Sequence, residues 1–107
     1  MPDVLDFAFA SNAEVALELG RRLKAHRLAQ NLQQTELAAR AGVARGTVQN
    51  LETRGQCSLE SLVRVVRALG LVDELAKMFE LRAAQSIAEL ARIEQNRRQR
   101  ASRRGRP

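Results

Sequence analysis

The chain has no tryptophan and no tyrosine, and only three phenylalanines, Phe7, Phe9 and Phe79. Any core it builds must come from Leu, Val, Ile and Ala. Its two prolines sit at positions 2 and 107, so none interrupts the interior, and this palette favours an all-helical fold over a sheet. No apolar run approaches the ~20 residues that span a bilayer, and no signal peptide is visible. The expectation is a cytoplasmic protein with no membrane association. A single cysteine, Cys57, excludes an internal disulfide framework and a multi-cysteine zinc site. There is no nucleophile paired with a base, no metal-ligating cluster and no phosphate-cradling glycine loop. The sequence therefore predicts neither an enzyme nor a cofactor.

Charge is present but unevenly placed. The formal net charge is +6 over 107 residues. Residues 1–81 hold ten basic and ten acidic side chains, whereas residues 82–107 hold eight arginines against two glutamates. The excess belongs to the C-terminal stretch, which points to a polyanionic partner but not to sequence-specific reading.

Three regions follow from the pattern: an N-terminal arm over 1–11, a helical domain over 12–80, and a C-terminal extension with an arginine-rich tail over 81–107. In the arm, Leu5, Phe7 and Phe9 alternate with the period of a short strand, predicted to pair with its copy in a second subunit. Ser11 and Glu14 form a Ser-x-x-Glu capping box, so a first helix begins near Asn12, with Val15, Leu19, Leu23 and His26 predicted on its inward face. A second helix runs from about Gln34 to Ala41, stopped by Gly42, and a third from about Arg45 to Glu52. Ser58 caps a fourth, with Leu59, Leu62, Val66 and Leu69 inward and Gly70 closing it. A fifth begins near Val72 and carries Leu75 and Phe79. An apolar stripe through Ile87 and Leu90 suits either a last core helix or a subunit interface. Beyond Gln95 no apolar face remains, and the tail is expected to be either flexible or a frayed helix. Cys57 falls in a polar loop, where an incidental thiol outweighs a redox switch.

Residues 34–53 carry the chemistry. Two short helices crossing steeply through a tight turn need a small residue at their contact, met by Ala38, and a turn residue tolerant of positive φ, met by Gly42. Leu37, Ala41, Val43, Val48 and Leu51 would seal this unit onto the core. That leaves Ala44, Arg45, Gly46, Gln49 and Asn50 outward on the third helix, with the charged and amide groups that pair with base edges in a major groove.

From about Leu19 to Phe79 the chain resembles the Xre family of lambda-repressor-like helix-turn-helix regulators, whose domain has five helices. The resemblance rests on Leu-Gly-Arg-Arg-Leu-Lys-Ala-His-Arg at 19–27, Gln-Thr-Glu-Leu-Ala at 34–38 and Ala-Gly-Val at 41–43. It continues with Thr-Val-Gln-Asn-Leu-Glu at 47–52 and Ser-Leu-Glu-Ser-Leu through Ala-Leu-Gly at 58–70. It implies a sequence-specific regulator of transcription, a homodimeric repressor of its own or a neighbouring promoter, bound to an inverted-repeat operator in double-stranded DNA.

Carried onto these positions, the resemblance places Gln34 against phosphate and in some members a base, with Thr35 beside it. It turns Arg45, Gly46, Gln49 and Asn50 to the groove, with Ala44 at the helix start and Thr47 beside a backbone phosphate. Arg27 and Glu52 match a pair that bridges the first helix to the end of the third. The pattern is broken at Ala44 and Gln33, where capping Ser or Thr is common, and in a shorter loop over 53–57, where Arg54 is the phosphate-contact candidate. The short loop, the Ala-Leu-Gly-Leu-Val-Asp-Glu-Leu run at 68–75 and the Arg-Arg-Gln-Arg-Ala ending are also similar to the HipB-type antitoxins, which would imply a HipA-type kinase toxin as a further partner. The tail itself has two readings, tracking DNA phosphates or serving as a solvated or partner-binding arm.

Overall fold

The computed structural model describes residues 5–81 and 83–104, and among them every regular element is an α-helix. They form two compact units, one ending at Ala76 and the other beginning at Lys77.

In the first unit the chain enters through a turn. The strand expected over Leu5, Phe7 and Phe9 is absent, because Asp6 organises the segment locally. Its carboxylate accepts from the Ala8 backbone N–H at 3.0 Å, and its carbonyl accepts from Phe9 and Ala10. Asp bonding its own following backbone is the chemistry of a turn and competes with an extended chain. Phe7 lies under the Arg22 guanidinium, 5.0 Å from the ring centroid.

Helix α1 spans Asn12–Ala29 behind the reciprocal cap of Ser11 and Glu14. Hydrogen bonds from Ser11, its backbone N–H first and its side chain second, hold the Glu14 carboxyl below its ordinary value. Its inward seam is Gly20, Leu23 and Arg27, and His26 is exposed. The expected inward histidine is one position out of phase: steps of three and four from Gly20 arrive at Arg27. The chain then closes through Asn31 in the left-handed region at φ 58°, a conformation Asn tolerates better than other side chains. Leu32 drops into the core.

Helices α2 (Gln34–Ala41), α3 (Arg45–Arg54), α4 (Leu59–Ala68) and α5 (Val72–Lys77) follow. Gly42 takes φ 70° to end α2, and Gly55 ends α3 in the same way. The core gathers Leu32, Leu37, Ala38, Ala41, Val48, Leu51, Val65 and Leu69, with Leu23, Val43, Leu62, Ala68 and Leu71 packed against it. Gly20 lies close against α3: a methyl built there would overlap the Leu51 carbonyl. Leu59, expected inward, is 76% exposed, and Val65 holds the buried position instead. Leu59 is the first residue of α4, and a helical side chain leans toward the N-terminus, here past the end of the helix.

In the second unit the chain leaves α5 through Phe79 at φ 59°. Phe79 is exposed rather than core. Helix α6 spans Ala83–Arg104. Of the two states expected beyond Gln95, flexible chain or frayed helix, the described residues are helical to Arg104, with ion pairs along the helix surface. Glu89 meets Arg92, and Glu94 meets Arg97 at 2.7 Å and Arg98 at 3.2 Å. Such spacings of three and four support a helix by about 0.2–0.5 kcal/mol per pair. Among the described residues no helix is long and apolar enough to cross a membrane.

Candidate nucleic-acid interface

Helix α3 is divided lengthwise by its own period. Val48, Leu51 and Glu52 are buried, Val48 completely. Arg45, Gly46, Gln49 and Asn50 are exposed. Positions four apart stand one above the other on a helix, so Arg45 with Gln49 and Gly46 with Asn50 make two neighbouring rows on the outward face. A fully buried aliphatic side chain stabilises the fold by about 1.5–3 kcal/mol. Val48 and Leu51 together thus hold this face outward more strongly than solvation of the polar residues could. Gly46 has no atom within 4 Å of an added methyl. Nothing in the protein itself calls for glycine there.

The remaining positions singled out from the sequence fall around this face. Ala44 is exposed and is the N-cap residue of α3, with no side-chain hydrogen bond to offer. The first turn nevertheless forms, with the Ala44 carbonyl accepting from Thr47 at 3.0 Å and Val48 at 3.4 Å. Thr47 is half-buried, and Thr35 is exposed on the first turn of α2. Arg54 is exposed at the last turn of α3. Among the described residues neither Arg45 nor Arg54 has an ion-pair partner. The acid on their own helix, Glu52, is turned inward, so the outward face of α3 carries positive charge alone.

Glu52 meets Arg27 in the interior. The carboxylate accepts from Arg27 Nε at 2.6 Å and from Nη2 at 3.0 Å, with both residues buried. The third guanidinium nitrogen, Nη1, donates to the Leu32 carbonyl at 2.7 Å. One arginine on α1 thereby fixes the chain entering α2 and the inner side of α3. Gln34 is half-buried rather than free at the surface, and its Nε2 donates to Glu52 at 3.0 Å. No pattern in the sequence signals this last bond, because it joins residues on two different helices. At the other helix starts, Glu36 accepts from the Gln33 backbone N–H at 2.9 Å, one half of a reciprocal cap. Ser58 caps α4 through the Ser61 N–H.

Chemically, the face offers a cation, two amides that can each donate and accept, and a glycine gap, all on one rigid rod. Bidentate hydrogen bonding to base edges uses these groups. The exposed Cys57 has its thiol pushed up by partial burial, away from the thiolate that reactivity requires. Among the described residues no group of three or more His, Cys, Asp or Glu could hold a metal ion. A helix-turn-helix family, HTH_3, matches residues 23–77, just over half of the chain and all of α2 to α5. No curated protein matches the sequence.

Proposed function

Because the chain belongs to the HTH_3 helix-turn-helix family, the Xre or lambda-repressor-like DNA-binding regulators of transcription, we propose that it is a dimeric, sequence-specific repressor. Arg45, Gln49 and Asn50 read base edges in the major groove, and Gly46 lets the helix approach closely. Thr35, Thr47 and Arg54 meet the flanking phosphates, contacts that set register without carrying sequence information. The observation that carries the reading is the division of α3: its amide and guanidinium groups protrude together because Val48, Leu51 and Glu52 anchor the opposite side.

Two subunits would place one reading helix each in successive major grooves, about 34 Å apart, on an inverted repeat. Occupying a promoter in the cytoplasm then blocks transcription by exclusion, without catalysis. Selection of bound duplexes from a randomised pool tests this. Recovery of an inverted repeat, lost with Asn50→Ala in a protein that still unfolds cooperatively, is the expected result. A pool that emerges without any enriched sequence would sink the proposal.

A further inference from the structure

Resting on that reading of α3, we infer that Gln34 is a positioning residue: it acts on DNA through the pose of the reading helix rather than through a phosphate. Helices α2 and α3 are joined at one end by the turn through Gly42. At the other end the first residue of α2 reaches the inner side of α3 through the bond from Gln34 Nε2 to Glu52 Oε1, 3.0 Å. Between these ends the contact is apolar, through Leu37, Ala38, Val48 and Leu51, and apolar packing resists separation better than it resists a small rotation. The Gln34 bond is the directional one. Its acceptor is a buried carboxylate paired with Arg27, a setting in which a hydrogen bond is stronger than one between neutral groups in water.

Glu52 Oε1 also accepts from Arg27 Nη2, and Oε2 from Arg27 Nε. The carboxylate is therefore fixed from α1 before Gln34 meets it. Arg27 supplies the compensating charge, so the third donor needs no charge of its own. A neutral amide completes the set, and α1, α2 and α3 are tied at a single carboxylate. Without Gln34, α3 keeps its anchor on α1 but can turn against α2, whose first turn carries the exposed Thr35. Arg45, Gln49 and Asn50 then meet the bases in a spread of poses.

A phosphate contact and a positioning bond differ in what they do to discrimination. Gln34→Met keeps the side-chain length and removes the donor. The selected duplex should bind about tenfold more weakly, with affinity for a scrambled duplex unchanged and the unfolding temperature little altered. Gln34→Lys, which can still donate to Glu52, should restore the ratio between the two duplexes. Equal loss on both duplexes would identify a phosphate contact and overturn the inference, as would no loss on either. In the free protein, the Arg27 Nε–H resonance should move with Gln34→Met. An unmoved resonance removes the bond, whatever the DNA measurements show. Failure of the wild-type protein to distinguish the duplexes would instead count against the DNA-reading function.

Discussion

Arg27 and Glu52 are charged groups among the buried residues of the first unit, 6% and 4% exposed. Desolvating two ions is expensive, and a buried pair of this kind contributes little net stability compared with apolar side chains of similar size. Breaking it is another matter, because the remaining charge is left unpaired. Glu52→Ala should cost about 3–5 kcal/mol in chemical denaturation. The double replacement Arg27→Met with Glu52→Leu should recover most of that loss in the same measurement. If the double variant also recovers full discrimination between duplexes, the pair has no part in orienting α3. The expected result is a stable protein with weakened reading, since Met and Leu fill space but hold no angle.

At the scale of the helix, α3 begins under a handicap. Its N-cap residue, Ala44, has φ −70° and ψ 149°, close to the −71° and 162° of Ser11 and the −69° and 157° of Ser58, both of which cap their helices through the hydroxyl. The backbone at 44 is already shaped for a cap that the side chain lacks. Ala44→Ser should stabilise the domain by about 1 kcal/mol, raising Tm by roughly 4–8 °C for a unit of this size. A Tm that does not rise would mean the first turn of α3 is not limited by its missing cap. Gly46→Ala makes the complementary case. The methyl meets nothing in the protein, so the helix should gain about 0.5 kcal/mol or more from its lower backbone entropy cost. The same methyl would stand between α3 and the bases, and affinity for the selected duplex should fall about tenfold. Tighter binding together with higher stability would move Gly46 off the groove-facing row.

These helices also show how far the sequence could be read. The limits of α2, the turn at Gly42, the outward set on α3 and the caps at Ser11 and Ser58 were all legible, because each depends on residues within one or two turns of one another. Local chemistry also explains the missing strand: the turn-forming carboxylate of Asp6 outweighs the alternation of Leu5, Phe7 and Phe9. His26 and Leu59 were misplaced for different reasons. Only the neighbouring helix decides whether position 26 or 27 faces inward, while Leu59 opens α4 and leans past its end, so its place in the stripe is not a place in the core. The bond from Gln34 to Glu52 lay beyond reach, since no periodicity links the two. Beyond Gln95, α6 has no apolar face to mark it in the sequence, and the ion pairs from Glu94 to Arg97 and Arg98 lie on its surface.

For the whole molecule, the division of charge separates two contributions to DNA binding. The segment up to residue 81 is balanced, with ten basic and ten acidic side chains, so on the proposed reading the α3 face would act through its own groups and their geometry rather than through net charge of the segment. The segment over 95–107 carries six arginines and no acid. Arginines on such a segment neutralise phosphates whatever the sequence, and each phosphate contact steepens the fall of log affinity with log salt by about 0.9. Deleting residues 95–107 should therefore flatten the salt dependence and weaken binding to selected and scrambled duplexes alike at low salt, leaving their ratio intact. Binding titrations from low to moderate salt would measure both quantities together. If the deletion abolishes the preference for the selected duplex, specificity does not reside in α3 alone. If it leaves the salt slope unchanged, these arginines do not touch DNA, and their charge serves a different polyanion or an acidic protein surface.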